Sequence, residues 1–172
     1  MDLFIAIFQG IIIASTPLVL AAVGELVVEK SGVLNLGVEG MMIIGAVTSF
    51  IVTYETGSHF LGLIAAVISA GLVASLFGLL TQYLLSNQVA TGLALTLFGL
   101  GLASLIGQTY SGISLDAFPV FDVYLLTEIP IIGSLLFNFD YLIYLSIIIV
   151  VSVYYFLNNI QNPFLKLHLQ QH

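Results

Sequence analysis

The sequence has no cysteine, only two basic residues and little charge of either sign. Without cysteine there is no disulfide, no thiolate metal site, no Cys nucleophile and no lipid-modified thiol, and the redox compartment is left open. Lys30 and Lys166 alone cannot build the basic footprint of a nucleic-acid-binding protein, which sets that class aside. Charged residues are 6% of the 172, where a soluble domain carries about 25%. So few charges cannot cover a surface facing water. What is present is apolar: 60% of the residues are hydrophobic and the mean hydropathy is +1.18. The relevant solvent is lipid, and the chain reads as an integral membrane protein.

The fold class expected is all-α, a polytopic bundle of about five transmembrane helices with an irregular, Gly-rich segment between the first two. The start, Met1-Asp2, lacks the basic n-region of a signal peptide and leads into 21 uncharged residues from Leu3 to Val23, enough for a first span. Pro17 should kink that helix, with Ser15 and Thr16 supplying hydroxyls to the freed backbone. From Phe60 to Leu115 there is no Asp, Glu, Lys or Arg over 56 residues. As one helix this run would be about 84 Å long, so it must turn back, and Ser86-Asn87-Gln88 is the natural break. The helices are therefore placed at about 3–23, 38–54, 60–85, 88–110 and 139–157, giving a transmembrane domain over 1–157 and a cytoplasmic tail over 158–172.

Lysines mark the cytoplasmic side. Lys30 follows the first crossing and Lys166 the fifth, so five crossings put both inside, the N-terminus outside and the tail inside. The connection from Ser111 to Asn138 then lies outside; with Asp116, Asp122, Glu128, Pro119 and Pro130 it reads as a solvated acidic loop. Close helix packing is expected along Gly62, Ala66, Ala70, Ala74 and Gly78, and again along Gly99, Ala103 and Gly107, because small residues let backbones approach in lipid.

The residues from Gly24 to Met42 hold Glu25, Glu29, Glu39, Lys30 and Asn35 among apolar side chains, with Gly32, Gly37 and Gly40 permitting bends. Irregular backbone at membrane depth survives only against protein or a water-filled cavity, and an ionisable group there is a functional candidate. Glu39 is the foremost of these. Its bland alternative is helix-start capping, where an acid is favoured anyway. Glu25 and Glu29, one turn apart, suit an interfacial face paired with Lys30. Asn87 suits a helix cap at the break between two helices. His168 and His172 are one turn apart, but two ligands in a polar tail are a weak metal signal.

The run Thr16-Pro17, Gly24-Glu25-Leu26, then Ser31-Gly32-Val33-Leu34-Asn35-Leu36-Gly37-Val38-Glu39-Gly40-Met41-Met42 and Gly45-Ala46 resembles the signature of nucleoside-type ABC importer permeases, within the group that includes ribose-type and branched-chain amino acid permeases. Asn87-Gln88-Val89, Thr91-Gly92-Leu93-Ala94-Leu95-Thr96-Leu97 and Phe98-Gly99-Leu100-Gly101-Leu102 are similar to the same family's fourth helix. The resemblance implies alternating access in a cell-membrane subunit that pairs with a second permease, a cytoplasmic ABC ATPase and an external nucleoside-binding lipoprotein. ATP and Mg would then be bound by the ATPase, leaving this chain without a cofactor and without enzymatic activity. No Gly-x-x-x-x-Gly-Lys-Ser/Thr occurs in it. Asn35, Glu39, Asn87 and Gln88 are the hydrogen-bonding groups expected to line a path for neutral, hydroxyl-rich nucleosides. Permeases of this kind run well past 172 residues, and after Asn162-Pro163-Phe164 the family's glycine and coupling segment are missing, so a truncated product is expected. The alternatives are a sugar or branched-chain amino acid ABC permease, an ion-coupled secondary transporter using Glu39, and an inert membrane fragment.

Overall fold

The absence of charge over long stretches leaves helices as the only way to satisfy the backbone in lipid, and the computed structural model, which describes residues 2–116 and 139–169, is all-helical there. Five of its helices are long and apolar enough to cross a membrane, at Leu3–Lys30, Val38–Thr56, His59–Tyr83, Gln88–Tyr110 and Tyr141–Asn159. We label the α-helices α1 (Asp2–Lys30), α2 (Val38–Thr56), α3 (His59–Gly78), α4 (Gln88–Gly107) and α5 (Tyr141–Leu169). A π-helical turn, Leu79–Tyr83, prolongs α3, and a 3-10 turn, Gln108–Tyr110, prolongs α4. Asp122, Glu128, Pro119 and Pro130 of the acidic connection lie outside the described residues, as do the side chain of His168 and all of His172.

The chain divides into two compact units, Met1–Val27 with Phe118–His172, and Val28–Ala117. In the first, α1 runs unbroken through Pro17. The neighbouring hydroxyls do not recapture the carbonyl of Ile13 that the proline frees. Ser15 Oγ and Thr16 Oγ1 both donate to Ile12 O, at 3.1 and 2.8 Å, because residues at i+3 and i+4 reach that carbonyl first. In α5, Phe139 just before the helix and Ile143 and Ser146 within it are buried, and Ser146 Oγ donates to Ile143 O. The helix continues past Asn158 to Leu169, so the expected tail begins as helix.

The irregular segment is shorter than the glycines suggest. Gly24, Glu25 and Glu29 are all helical, with Lys30 in the last turn where a cation complements the helix dipole. The stop comes at Gly32, whose φ of 85° is the left-handed conformation that glycine adopts without strain. Gly32 N donates to Glu29 O and Val33 N to Val28 O, the paired bonds of a Schellman motif. Only residues 31–37 are left outside helices.

In the second unit α3 runs antiparallel to α2, and α4 parallel to it. The α2–α3 contact is built on small residues: a side chain at Gly45 would meet Ala66 O and Ala70 Cβ, and one at Gly62 would strike Thr53 Oγ1. Thr48 Oγ1 and Ser69 Oγ share an interhelical hydrogen bond of 2.6 Å. Of the stripe expected on α3, Gly62, Ala66 and Ala70 therefore meet α2, whereas Ala74 is exposed and nothing lies within 4 Å of a side chain placed at Gly78. Met41, Ile44, Val73, Phe77 and Leu95 form the apolar core where the three helices meet.

Candidate functional site

Residues 31–37 cross the start of α4, and the first half of α4 is shaped to receive them. A side chain at Gly92 would come within 2.9 Å of both Leu36 N and Gly37 N. One turn further in, Gly40 of α2 and Gly99 of α4 allow direct backbone contact: a Cβ on Gly40 would lie 2.6 Å from Leu95 O, and a Cβ on Gly99 2.6 Å from Gly40 O. No side chain fits into either gap.

Polar side chains complete the junction by taking the backbone groups that an irregular segment leaves open. Leu34 N donates to Gln88 Oε1 at 2.9 Å. Thr96 Oγ1 donates to Leu36 O at 2.9 Å. Asn35 is buried; its Oδ1 accepts from Gly37 N at 2.9 Å, an Asx turn, and its Nδ2 reaches Met41 Sδ at 3.6 Å. Asn87 caps α4, its Oδ1 accepting from Ala90 N at 3.0 Å. The donors opposite these three carboxamides are backbone N–H groups, which settles which amide atom is the oxygen.

The four residues expected from the sequence are thus gathered at one end of the second unit, where α2 begins and α3 gives way to α4. Asn35, Asn87 and Gln88 have their oxygens on backbone N–H groups. The amide nitrogens of Asn87 and Gln88 have no hydrogen-bond partner among the described residues. Glu39 stands in the first turn of α2, exposed, its carboxylate likewise without a partner there. Sequence reasoning did not pick out Gly92 and Thr96 as parts of this site, although both lie in the second motif. Their role depends on which segment crosses α4, and spacing alone does not say.

Asn35 carries the sharpest local prediction. Asn35→Ala leaves the Gly37 N–H buried without its acceptor, a loss of about 1–3 kcal/mol. Denaturant titration in detergent micelles, followed by helicity, should show the midpoint fall. An unchanged midpoint would mean that water replaces the carboxamide at no cost.

The far end of the same unit is also tied. Tyr110 Oη donates to Glu55 Oε1 at 2.9 Å, and the rings of Tyr54 and Tyr110 meet edge to face with centroids 5.7 Å apart. His59 Nε2 donates to the carbonyl of Asp116 at 3.0 Å. Val47, Phe50, Ile51, Gly107, Tyr110 and Ile113 line a cavity of about 220 Å³ beside these groups. No cluster of three or more His, Asp or Glu that could hold a metal occurs among the described residues.

Five helices long and apolar enough to cross a membrane, with a glycine-lined junction between residues 31–37 and α4, define a multi-pass membrane protein. The chain belongs to the family described as branched-chain amino acid transport system / permease component, whose model matches residues 7–161. It is 39% identical over 149 residues to a Haloferax volcanii protein named as a glucose ABC transporter permease, TsgC13, covering 84% of this chain and 45% of that one. It is 28% identical over 162 residues to the nucleoside ABC transporter permease NupC of Lactococcus lactis, covering 88% of this chain and 51% of that one. It is 29% identical over 136 residues to the guanosine ABC transporter permease NupQ of Bacillus subtilis, covering 75% of this chain and 42% of that one. The chain spans about half the length of the curated relatives it matches. No solved structure matches it.

Proposed function

We propose that this chain forms part of the translocation subunit of an ATP-driven importer that carries nucleosides through the cell membrane by alternating access. The observation that carries the reading is the junction of residues 31–37 with α4. It holds irregular backbone with the oxygens of Asn35 and Gln88 committed to it and that of Asn87 to the cap of α4, while Glu39 beside it is exposed. A neutral, hydroxyl-rich solute needs such a small set of polar groups in an otherwise apolar wall. ATP and Mg belong to a separate ATPase subunit, and a second permease and an external nucleoside-binding lipoprotein complete the assembly. The N-terminus lies outside and the chain beyond Asn158 inside, following Lys30 and Lys166. The transmembrane part extends over 1–157.

Sugar transport is the second reading, favoured by the 39% identity to the protein named as a glucose permease. Uptake decides between them. This segment is placed in a permease of the relatives' length, together with its ATPase and binding protein, in vesicles loaded with ATP. Labelled guanosine should enter and be displaced by unlabelled nucleoside but not by glucose. Displacement by glucose instead would establish the sugar reading, and displacement by leucine an amino acid permease. Uptake that follows an ion gradient without ATP would replace the ATP-driven mechanism by a secondary one. Insertion without flux of any of these solutes would leave a membrane fragment.

A further inference from the structure

The connection between α3 and α4 is built inside out for a turn that meets water. Its hydroxyl side chains turn inward. Thr81 Oγ1 donates to Phe77 O, Ser86 Oγ to Leu80 O at 2.8 Å, and Ser86 and Thr91 share a hydroxyl contact of 2.9 Å. Leu84 N and Ser86 N donate to Leu79 O and Leu80 O, so two N–H groups of the turn find their acceptors within it. Asn87 and Gln88 give their oxygens to Ala90 N and Leu34 N. What points outward is Tyr83, Leu84 and Leu85, 86%, 63% and 83% exposed, with Gln82 as their polar neighbour.

Leu85 is in the left-handed region at φ 53°, a conformation that a branched apolar residue adopts at a cost. A water-facing turn would place Gly or Asn there. Next to the tip, α3 and α4 part into an open apolar groove of about 480 Å³ lined by Leu76, Leu80, Ala94, Leu95 and Phe98, with Thr91 at its side. The tip and groove lie in the middle of the 56 residues from Phe60 to Leu115 that carry no charge. Turning hydroxyls inward while presenting apolar side chains outward suits the boundary between hydrocarbon and headgroups, where the remaining backbone groups of the turn can still reach water. A tyrosine flanked by leucines and a glutamine suits the boundary layer below the headgroups.

We infer that the α3–α4 tip, Tyr83-Leu84-Leu85, is inserted in the interfacial layer of the bilayer and does not project into the aqueous phase, with lipid acyl chains filling the adjoining groove. The connection then acts as a depth anchor for the end of the bundle that holds Asn35 and Glu39. This holds for any transported solute, so its failure and that of the nucleoside reading are separable.

The chain contains no cysteine and no tryptophan, so each introduced probe is unique. Tyr83→Trp is reconstituted in phosphatidylcholine vesicles, with and without chain-brominated lipid. Its emission should be blue-shifted, quenched by the brominated lipid and little affected by aqueous iodide. In parallel, Leu85→Cys should react with an impermeant maleimide about tenfold more slowly than Ser31→Cys, an exposed position at the same end, because an apolar medium withholds the thiolate. Circular dichroism of each variant confirms that it has folded. Emission at long wavelength with iodide quenching, or equal labelling of the two cysteines, would overturn the inference. Shielding of Trp at 83 from both lipid and iodide would overturn it as well, since a protein surface would then cover the tip.

Discussion

Gly99→Ala is expected to be among the most disruptive single-methyl changes in the second unit. The new Cβ would sit 2.6 Å from Gly40 O and 2.7 Å from Gly40 Cα. Those atoms are backbone of a helix, so no side chain can rotate away and α2 and α4 must separate. Overpacking of this kind costs about 1–3 kcal/mol, and the upper part of that range applies where only backbone can yield. The same change at Gly71 or Gly101, where nothing lies within 4 Å, should instead be neutral or stabilise by about 0.5–1 kcal/mol through the better helix propensity of alanine. Gly40→Ala should match Gly99→Ala, and the double variant should cost less than the two added, since helices already forced apart admit the second methyl freely. Unfolding in bicelles with a helicity readout measures each of these variants. Equal midpoints for Gly99→Ala and Gly71→Ala would refute the backbone contact.

The second large effect is expected at Glu39. Under the proposed function its exposed carboxylate, with no partner among the described residues, offers acceptors to solute hydroxyls at the end of α2. Glu39→Gln keeps the size and removes the charge, and nucleoside flux through a permease of the relatives' length should fall about tenfold, equivalent to about 1.4 kcal/mol. Since the side chain is exposed and makes no contact that holds the fold, the amount of protein in the membrane should not change. Substrate-dependent ATP hydrolysis and uptake should decline together. Unchanged uptake at equal expression would remove Glu39 from the pathway and leave it an acid favoured at a helix start.

Much of this was legible in the sequence, and the parts that were not share a physical reason. Absence of charge located the spans, because crossing lipid is a constraint that each segment meets alone. Ser86-Asn87 announced the turn between α3 and α4, and Asn87 is indeed the cap of α4. The charge-free run ends the first span at about residue 23, whereas α1 continues through Glu25 and Glu29, the polar end of a long helix closed by Gly32. Glycines on α3 and α4 were recognised as packing residues, yet which of them would pack was not. Gly99 meets Gly40 while Gly78 meets nothing, and both lie on stripes with the same spacing. A helix carries its own periodicity but not the identity of its neighbour. The roles of Thr96 and Gly92 toward residues 31–37 depend on that neighbour, as does the use of Asn35 and Gln88 as backbone acceptors. The π-turn left no signal at all in composition.

The junction also imposes an order in time. Leu34 N and Leu36 O find their partners in Gln88 and Thr96, which stand 54 and 60 residues later in the chain. At about 5–20 residues per second of synthesis, the segment waits roughly 3–12 s for α4 to emerge. During that interval α1 is complete and α2 and α3 are still being made, while the stretch joining α1 to α2 has donors and acceptors with no partner. It must be held in water or by the insertion machinery and cannot enter lipid early. Quality control in the cell therefore has a defined window in which to recognise and degrade the nascent chain, and any change that delays α4 widens it.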